Sequence, residues 1–253
     1  KDLHSELTDH RWDFHTGEKP WWQRQALESL YDGCILEADN AVRKIIETLE
    51  NRESLNDTLV VVTSDHGEGF GEFSRVRPGH RLTGNESGIH ECQLHVPLIV
   101  KMPGQQNPVV IDELASLSRF PEVVRSEIST NESTKNFVPD KPVVSSTDYD
   151  SKYEAHTRTF DEYIERMDSS AFSGWAHAVY DDSGERIMKY SEWGEFESSV
   201  QISNAQNSMK VGSSAHNEID KHIGSLSNAN IKTKEVGKAN SQTRKRLQKL
   251  GYL

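Results

Sequence analysis

Thr58-Leu59-Val60-Val61-Val62-Thr63-Ser64-Asp65-His66-Gly67-Glu68 is the stretch whose reading decides the fold. Its first six residues are β-branched or aliphatic without polar alternation, the pattern of a strand covered on both faces. Just before it, Trp22, Ala26, Leu30, Cys34, Ala38, Val42, Ile45 and Leu49 recur every three or four positions, which predicts one apolar face of a long helix. Thr16 and the segment 18–20 offer start signals, and Asn51, Ser54 and Asn56 offer stop signals. A long helix feeding a covered strand is the signature of a parallel arrangement. The expected fold class is therefore α/β, with a mainly parallel sheet flanked by helices.

Working outward, residues 64–94 are rich in glycine and predict a long loop, which in a compact domain signals function or disorder. Residues 95–101 (HVPLIVK) predict a second covered strand, closed by the Pro103-Gly104 turn. Residues 111–118 and 120–128 predict short helical pieces, and the polar stretch 129–140 predicts a connection. That places one unit at 1–128 and a second, small α+β subregion with a polar tail at 129–253. Within the latter, 142–146 predicts a strand, 159–167 a helix, and 176–180 with 186–190 a hairpin around Asp181-Asp182-Ser183-Gly184. Residues 201–243 are dominated by Ser, Asn, Gln and Lys and predict surface structure, and 244–253 predicts a closing helical turn.

Composition narrows the function classes. Forty acidic against 29 basic side chains give a net charge of −11, which repels nucleic acid and anionic lipid. The mean hydropathy is −0.72 and no run of apolar residues is long enough for a membrane span. No targeting signal is visible in the first residues, so a cytoplasmic location is the expectation. Cys34 and Cys92 are too few for a disulfide framework and read as small buried hydrophobes.

The chemistry concentrates at the end of the first strand. In open α/β sheets ligands bind beyond the carboxyl ends of the strands. There Asp65 offers a hard carboxylate oxygen and His66 an imidazole nitrogen, together suited to Ca²⁺, Mg²⁺, Mn²⁺ or Zn²⁺, while Gly67 lets the backbone turn away. Taken as a tripeptide, Asp-His-Gly is also compatible with a plain polar turn.

The succession Leu30-Tyr31-Asp32-Gly33, Ala38-Asp39, then 58–68, then His95-Val96-Pro97-Leu98-Ile99-Val100 with Pro103-Gly104, resembles the sulfatase family of the alkaline-phosphatase superfamily. The terminal 247–253 (LQKLGYL) is similar to the way many prokaryotic members end. The resemblance is strong over 21–104 and faint over 129–243. It implies an alkaline-phosphatase-like fold, metal-dependent hydrolysis of a sulfate ester, and Asp65 and His66 as ligands to a divalent cation, Ca²⁺ first. It also leaves room for a phosphodiesterase, phosphonate hydrolase or phosphotransferase, or for a degenerate member that only binds. The substrate it implies is a small-molecule or glycan ester.

The family's nucleophile is a formylglycine within Cys/Ser-x-Pro/Ala-x-Arg. Neither 34–38 (CILEA) nor 92–96 (CQLHV) fits that pattern, and the paired acidic ligands that the family draws from its first strand have no counterpart. The resemblance thus implies an incomplete catalytic region. It further implies a His or Lys between the two strands that holds the anion or protonates the leaving group, for which His80 comes first and His90 second. The family's Gly-His or Gly-Lys step reads Gly84-Asn85 here.

Three further groups invite plainer readings. Arg75, Arg77 and Arg81 are compatible with an anion-attracting rim but read as ordinary loop arginines. Asp39 reads as a structural partner on the helix. His4, His10 and His15 with Asp9 and Asp13 lack ligand spacing and read as a polar segment.

Overall fold

A computed structural model describes residues 13–14, 18–85, 89–129, 136–148, 174–182, 186–203 and 208–227. The helix predicted at the start, α1, runs Arg24–Asn51 behind a 3-10 turn at Trp21–Gln23. It is followed by β1 (Val60–Thr63), a hairpin of β2 (Gly69–Phe73) and β3 (Arg81–Gly84), a single helical turn α2 (Glu91–Leu94), and β4 (Leu98–Lys101). The expected long loop therefore contains structure of its own.

β1 and β4 pair with each other, Val60 opposite Lys101 and Thr63 opposite Leu98, in antiparallel register. The chain is mixed α/β, but every pairing among the described strands is antiparallel, and the expected parallel sheet is not among them. Hydrophobic runs report that a strand is covered and carry no direction. Direction is set here by the segment 64–97, which returns the chain alongside β1. Lys101 ties the turn between α1 and β1, its Nζ donating to the carbonyl oxygens of Leu55 and, at 3.0 Å, Asn56.

The helix has its predicted length and lacks its predicted cover. None of its 28 residues is buried, and Tyr31, Ile35, Leu36 and Ile45 face solvent, as does Ile99 on β4. Cys34, expected in a core, is exposed for the same reason.

The densest packing lies further along. β5 (Val143–Asp148), β6 (Trp175–Asp182), β7 (Ile187–Trp193), β8 (Phe196–Ile202) and β9 (Ser208–Gly212) form a five-stranded antiparallel meander in chain order. The predicted 176–190 hairpin is its centre, with Ala178 opposite Ser191 and Tyr180 opposite Lys189. Ala176, Ala178, Tyr180 and Trp193 face Val76 and Ile89 of the segment between β1 and β4. On the other face, Val179 packs on Ala215 and Ile219, the latter on α4 (His216–Ser227). A side chain that repeats every second residue serves one face, so the sheet supplies two cores.

Two expectations need correction. β9 and α4 fall in the stretch 201–243 that composition assigned to the surface; α4 docks through Ile219 and Ile223, and on β8 Val200 is buried and Ile202 packs on the core that holds Val76 and Ile89. Residues 111–116 form no helix, the regular structure beginning with a 3-10 turn at Leu117–Arg119 and continuing as α3 (Phe120–Ile128). The helix expected at 159–167, the closing turn at 244–253, and His4, Asp9, His10 and His15 lie outside the described residues. Asp13 is described and buried, and it pairs with Lys19 at 3.4 Å.

Candidate functional site

β1 delivers Ser64, Asp65 and His66 at its carboxyl end, as the strand pattern requires. Two local hydrogen bonds fix them. Ser64 Oγ donates to the His66 carbonyl oxygen at 2.7 Å, and His66 N–H donates to Asp65 Oδ1 at 3.0 Å. The second carboxylate oxygen, Oδ2, lies 3.6 Å from His66 Nε2, both side chains being about half exposed.

The imidazole is oriented from its other side. His66 Nδ1 lies 3.0 Å from the carbonyl oxygen of Gly67. A carbonyl only accepts, so Nδ1 carries the proton and the lone pair sits on Nε2, the atom that faces Asp65. Asn85, just after β3, places Nδ2 at 2.9 Å from that Nε2 and donates to it. A carbonyl behind the distal ring nitrogen is the arrangement that orients a metal-binding histidine.

Gly67 is the hinge between this pair and the rest of the segment. Its N–H donates to the Gln93 carbonyl oxygen at 2.8 Å, and a Cβ at this position would overlap the carbonyl oxygen of Cys92. Only glycine allows α2 to lie this close behind the Asp65-His66 step.

α2 is in turn gripped by the five-stranded sheet. Lys189 of β7, with 3% of its side chain exposed, donates to Glu91 Oε1 at 2.7 Å and to the Ile89 carbonyl oxygen. Tyr180 O–H donates to the same Glu91 oxygen at 3.3 Å. Burial lowers the pKa of Lys189, with Glu91 opposing it, and burial followed by the Glu91 charge raises that of Tyr180 well above its ordinary value. Cys92 is pushed up to about 12, first by burial and then by Glu72 and Glu91, so it is a thiol and not a nucleophile at neutral pH.

His80 and His90, singled out as donors, are both interior. His80 meets the Trp193 ring edge-on with centroids 5.6 Å apart. His90 Nε2 is buried without a hydrogen-bond partner, and burial, followed by the charge of Lys189, lowers its pKa well below the ordinary value. Both imidazoles are thus buried, whereas the side chains of Asp65 and His66 are about half exposed. Arg77 and Arg81, expected as ordinary loop arginines, are instead partly buried against aromatic rings, Arg77 over Phe196 at 5.1 Å and Arg81, at the start of β3, over Phe73 at 3.9 Å.

Sequence reasoning missed Asn85, Lys189 and Glu91. The signal for Lys189 was a lone cation flanked by Met188 and Tyr190 inside a strand, which demands a partner when it is buried. Among the described residues, no three His, Cys, Asp or Glu side chains converge as a complete cation site. Two donors 3.6 Å apart nonetheless suit a single ion, whose bonds to oxygen and nitrogen run roughly 2.0–2.6 Å.

The sulfatase family model matches residues 8–124, which contain α1, β1, the Asp65-His66 pair, α2 and β4. The chain is 31% identical to steryl-sulfatase of Rattus norvegicus over 116 residues, which is 42% of this chain and 20% of that protein. It is 32% identical over 79 residues to the multifunctional alkaline phosphatase superfamily protein PehA of Trinickia caryophylli, 31% of this chain and 14% of that one. It is 30% identical over 106 residues to N-acetylglucosamine-6-sulfatase of Homo sapiens, 36% of this chain and 18% of that one. The matched segments thus span about a fifth or less of these relatives' own lengths. No solved structure matches the chain. A strand that ends in an Asp-His pair lies in the middle of a family match that spans residues 8–124, and over that segment the chain is similar to the sulfatase family.

Proposed function

We propose that the protein hydrolyses sulfate esters with the help of a divalent cation, and that this chain supplies one side of the metal site. The observation that carries the reading is the 3.6 Å approach of Asp65 Oδ2 to His66 Nε2 at the end of β1, inside the family-matched segment. A bound cation would stabilise the negative charge that develops on the ester oxygens and help activate the nucleophile. Asp65 and His66 would hold it. The Gly67 carbonyl oxygen keeps the His66 ring aimed and Ser64 fixes the backbone of the step, so little reorganisation is needed when the ion arrives.

The family similarity and the Asp65 carboxylate put Ca²⁺ first in this role, with Mg²⁺, Mn²⁺ or, through the His66 nitrogen, Zn²⁺ as alternatives. The substrate is a small-molecule or glycan ester. The donor role expected of His80 and His90 is weakened by their burial, which supports a structural role for both.

The exposed apolar side chains of α1 and β4 support placing the chain within a larger catalytic domain. A helix whose Ile35, Leu36 and Ile45 all face water lacks the tertiary packing from which helices in proteins draw most of their stability. We infer that further polypeptide covers that face, extends the β1·β4 pair into the mainly parallel sheet of the alkaline-phosphatase-like fold, and brings the nucleophile.

The experiment is hydrolysis of aryl sulfate and aryl phosphate esters by the full-length protein, with and without chelator, for wild type and Asp65→Ala. Chelator-sensitive sulfate release that Asp65→Ala abolishes supports the assignment; hydrolysis unchanged by Asp65→Ala defeats it. Similarity to a multifunctional alkaline phosphatase superfamily protein favours one rival, phosphate-ester hydrolysis, and faster release from the phosphate ester would select it.

A further inference from the structure

We propose that Asn85 is a third ligand to the cation, contributing its side-chain carbonyl oxygen beside Asp65 and His66; the inference rests on the reading of that pair as a cation site. The β2–β3 hairpin folds back so that Gly84 pairs with Gly69, which brings Asn85 to His66 across nineteen residues of sequence. Gln93 Nε2 donates to the Gly84 carbonyl oxygen at 3.2 Å, fastening the end of β3 to the segment that also receives the Gly67 N–H. Asn85 is thus delivered by the same framework that positions Asp65 and His66.

Its carboxamide head stands 2.9 Å from His66 Nε2, and the ring lone pair it contacts is the one that a cation would take. Once that lone pair is engaged, an N–H pointing at the site would face positive charge. Rotation of about half a turn around the terminal side-chain bond exchanges Nδ2 for Oδ1 in the same volume, since the two ends of the amide are nearly isosteric. Side-chain amide oxygens are ordinary ligands for Ca²⁺ and related hard cations. Asp65 then brings a carboxylate, His66 a neutral nitrogen and Asn85 a neutral oxygen, three donors of different chemistry converging from two strand ends. In the absence of the ion the same amide caps the imidazole and holds its ring plane.

The test is titration of the full-length protein with Mn²⁺, followed by electron paramagnetic resonance of the free ion, for wild type, Asn85→Ala, Asn85→Asp and Asp65→Ala. Hydrogen exchange at the Gly67 amide serves as the folding control. Loss of a ligand in Asn85→Ala is expected to weaken Mn²⁺ about tenfold or more, and the added carboxylate of Asn85→Asp is expected to restore or tighten it. Wild-type or tighter affinity in Asn85→Ala, with loss in Asp65→Ala, overturns the Asn85 assignment alone: a tighter site would show that the amide only competes with the ion. Undiminished affinity in Asp65→Ala overturns the pair itself.

Discussion

Lys189 and Glu91, 98 residues apart in sequence, form a buried ion pair at 2.7 Å that joins the five-stranded sheet to the segment lying behind Asp65 and His66. The pair is closed by the Tyr180 hydroxyl and the Ile89 carbonyl oxygen, so its donors and acceptors are matched inside the core. Removing one charge leaves the other desolvated, whereas removing both does not. Lys189→Met is therefore expected to destabilise the protein by about 3–5 kcal/mol, read from its urea midpoint, and the double variant Lys189→Met/Glu91→Leu to recover most of that loss. A double-variant loss equal to the sum of the losses in Lys189→Met and Glu91→Leu would show that the two side chains are not coupled.

His90 sets a pH dependence. Its folded pKa lies well below the ordinary 6.5 because burial disfavours the charged ring, and Lys189 adds to the effect. Between the lowered value and 6.5 the unfolded chain binds the extra proton, so stability falls as pH falls through that window. The slope approaches about 1.4 kcal/mol per pH unit for one proton. His90→Gln is expected to flatten that acid limb in denaturation curves measured from pH 7 downward. An unchanged slope would place the proton linkage elsewhere.

Gly67 predicts a steric effect confined to the site. In Gly67→Ala the new methyl overlaps the Cys92 carbonyl, so either α2 or the Asp65-His66 step must move. A destabilisation of about 1–3 kcal/mol is expected, as for other overpacked positions, together with loss of Mn²⁺ binding. Wild-type Mn²⁺ affinity in this variant would show that the backbone behind the pair is free to adjust.

Arg81, at the start of β3, tests whether these arginines serve packing rather than an anion-attracting rim. Its guanidinium lies over Phe73 at 3.9 Å and Trp21 at 4.9 Å and donates to the Gly71 carbonyl oxygen at 3.1 Å. Lysine lacks the planar fork, so Arg81→Lys is expected to cost about 1–2 kcal/mol of stability while leaving the KM for an aryl ester unchanged. A raised KM at unchanged stability would return Arg81 to the substrate.

What the sequence made legible follows from the range of each interaction. The 3.6-residue period of α1, the apolar run of β1 and the Asp65-His66-Gly67 step are local signals, and each has its counterpart in the structure. Strand direction depends on a return path of more than thirty residues, to which no periodicity in β1 or β4 responds. β8 escaped notice because its core positions include Ser198, a small polar residue buried opposite Ser191 of β7. Asn85 drew attention only as a departure from the Gly-His or Gly-Lys pattern. Its contact with His66 depends on how the β2–β3 hairpin closes, which composition does not encode.

The role of Asp65 and His66 is tested most directly by calorimetric titration of the full-length protein with CaCl₂, wild type against Asp65→Ala and His66→Ala. Saturable binding in the wild type, weakened about tenfold or more by either substitution, is the predicted result. Equal affinity in all three proteins would contradict it, and with it the reading of this strand end as a metal site.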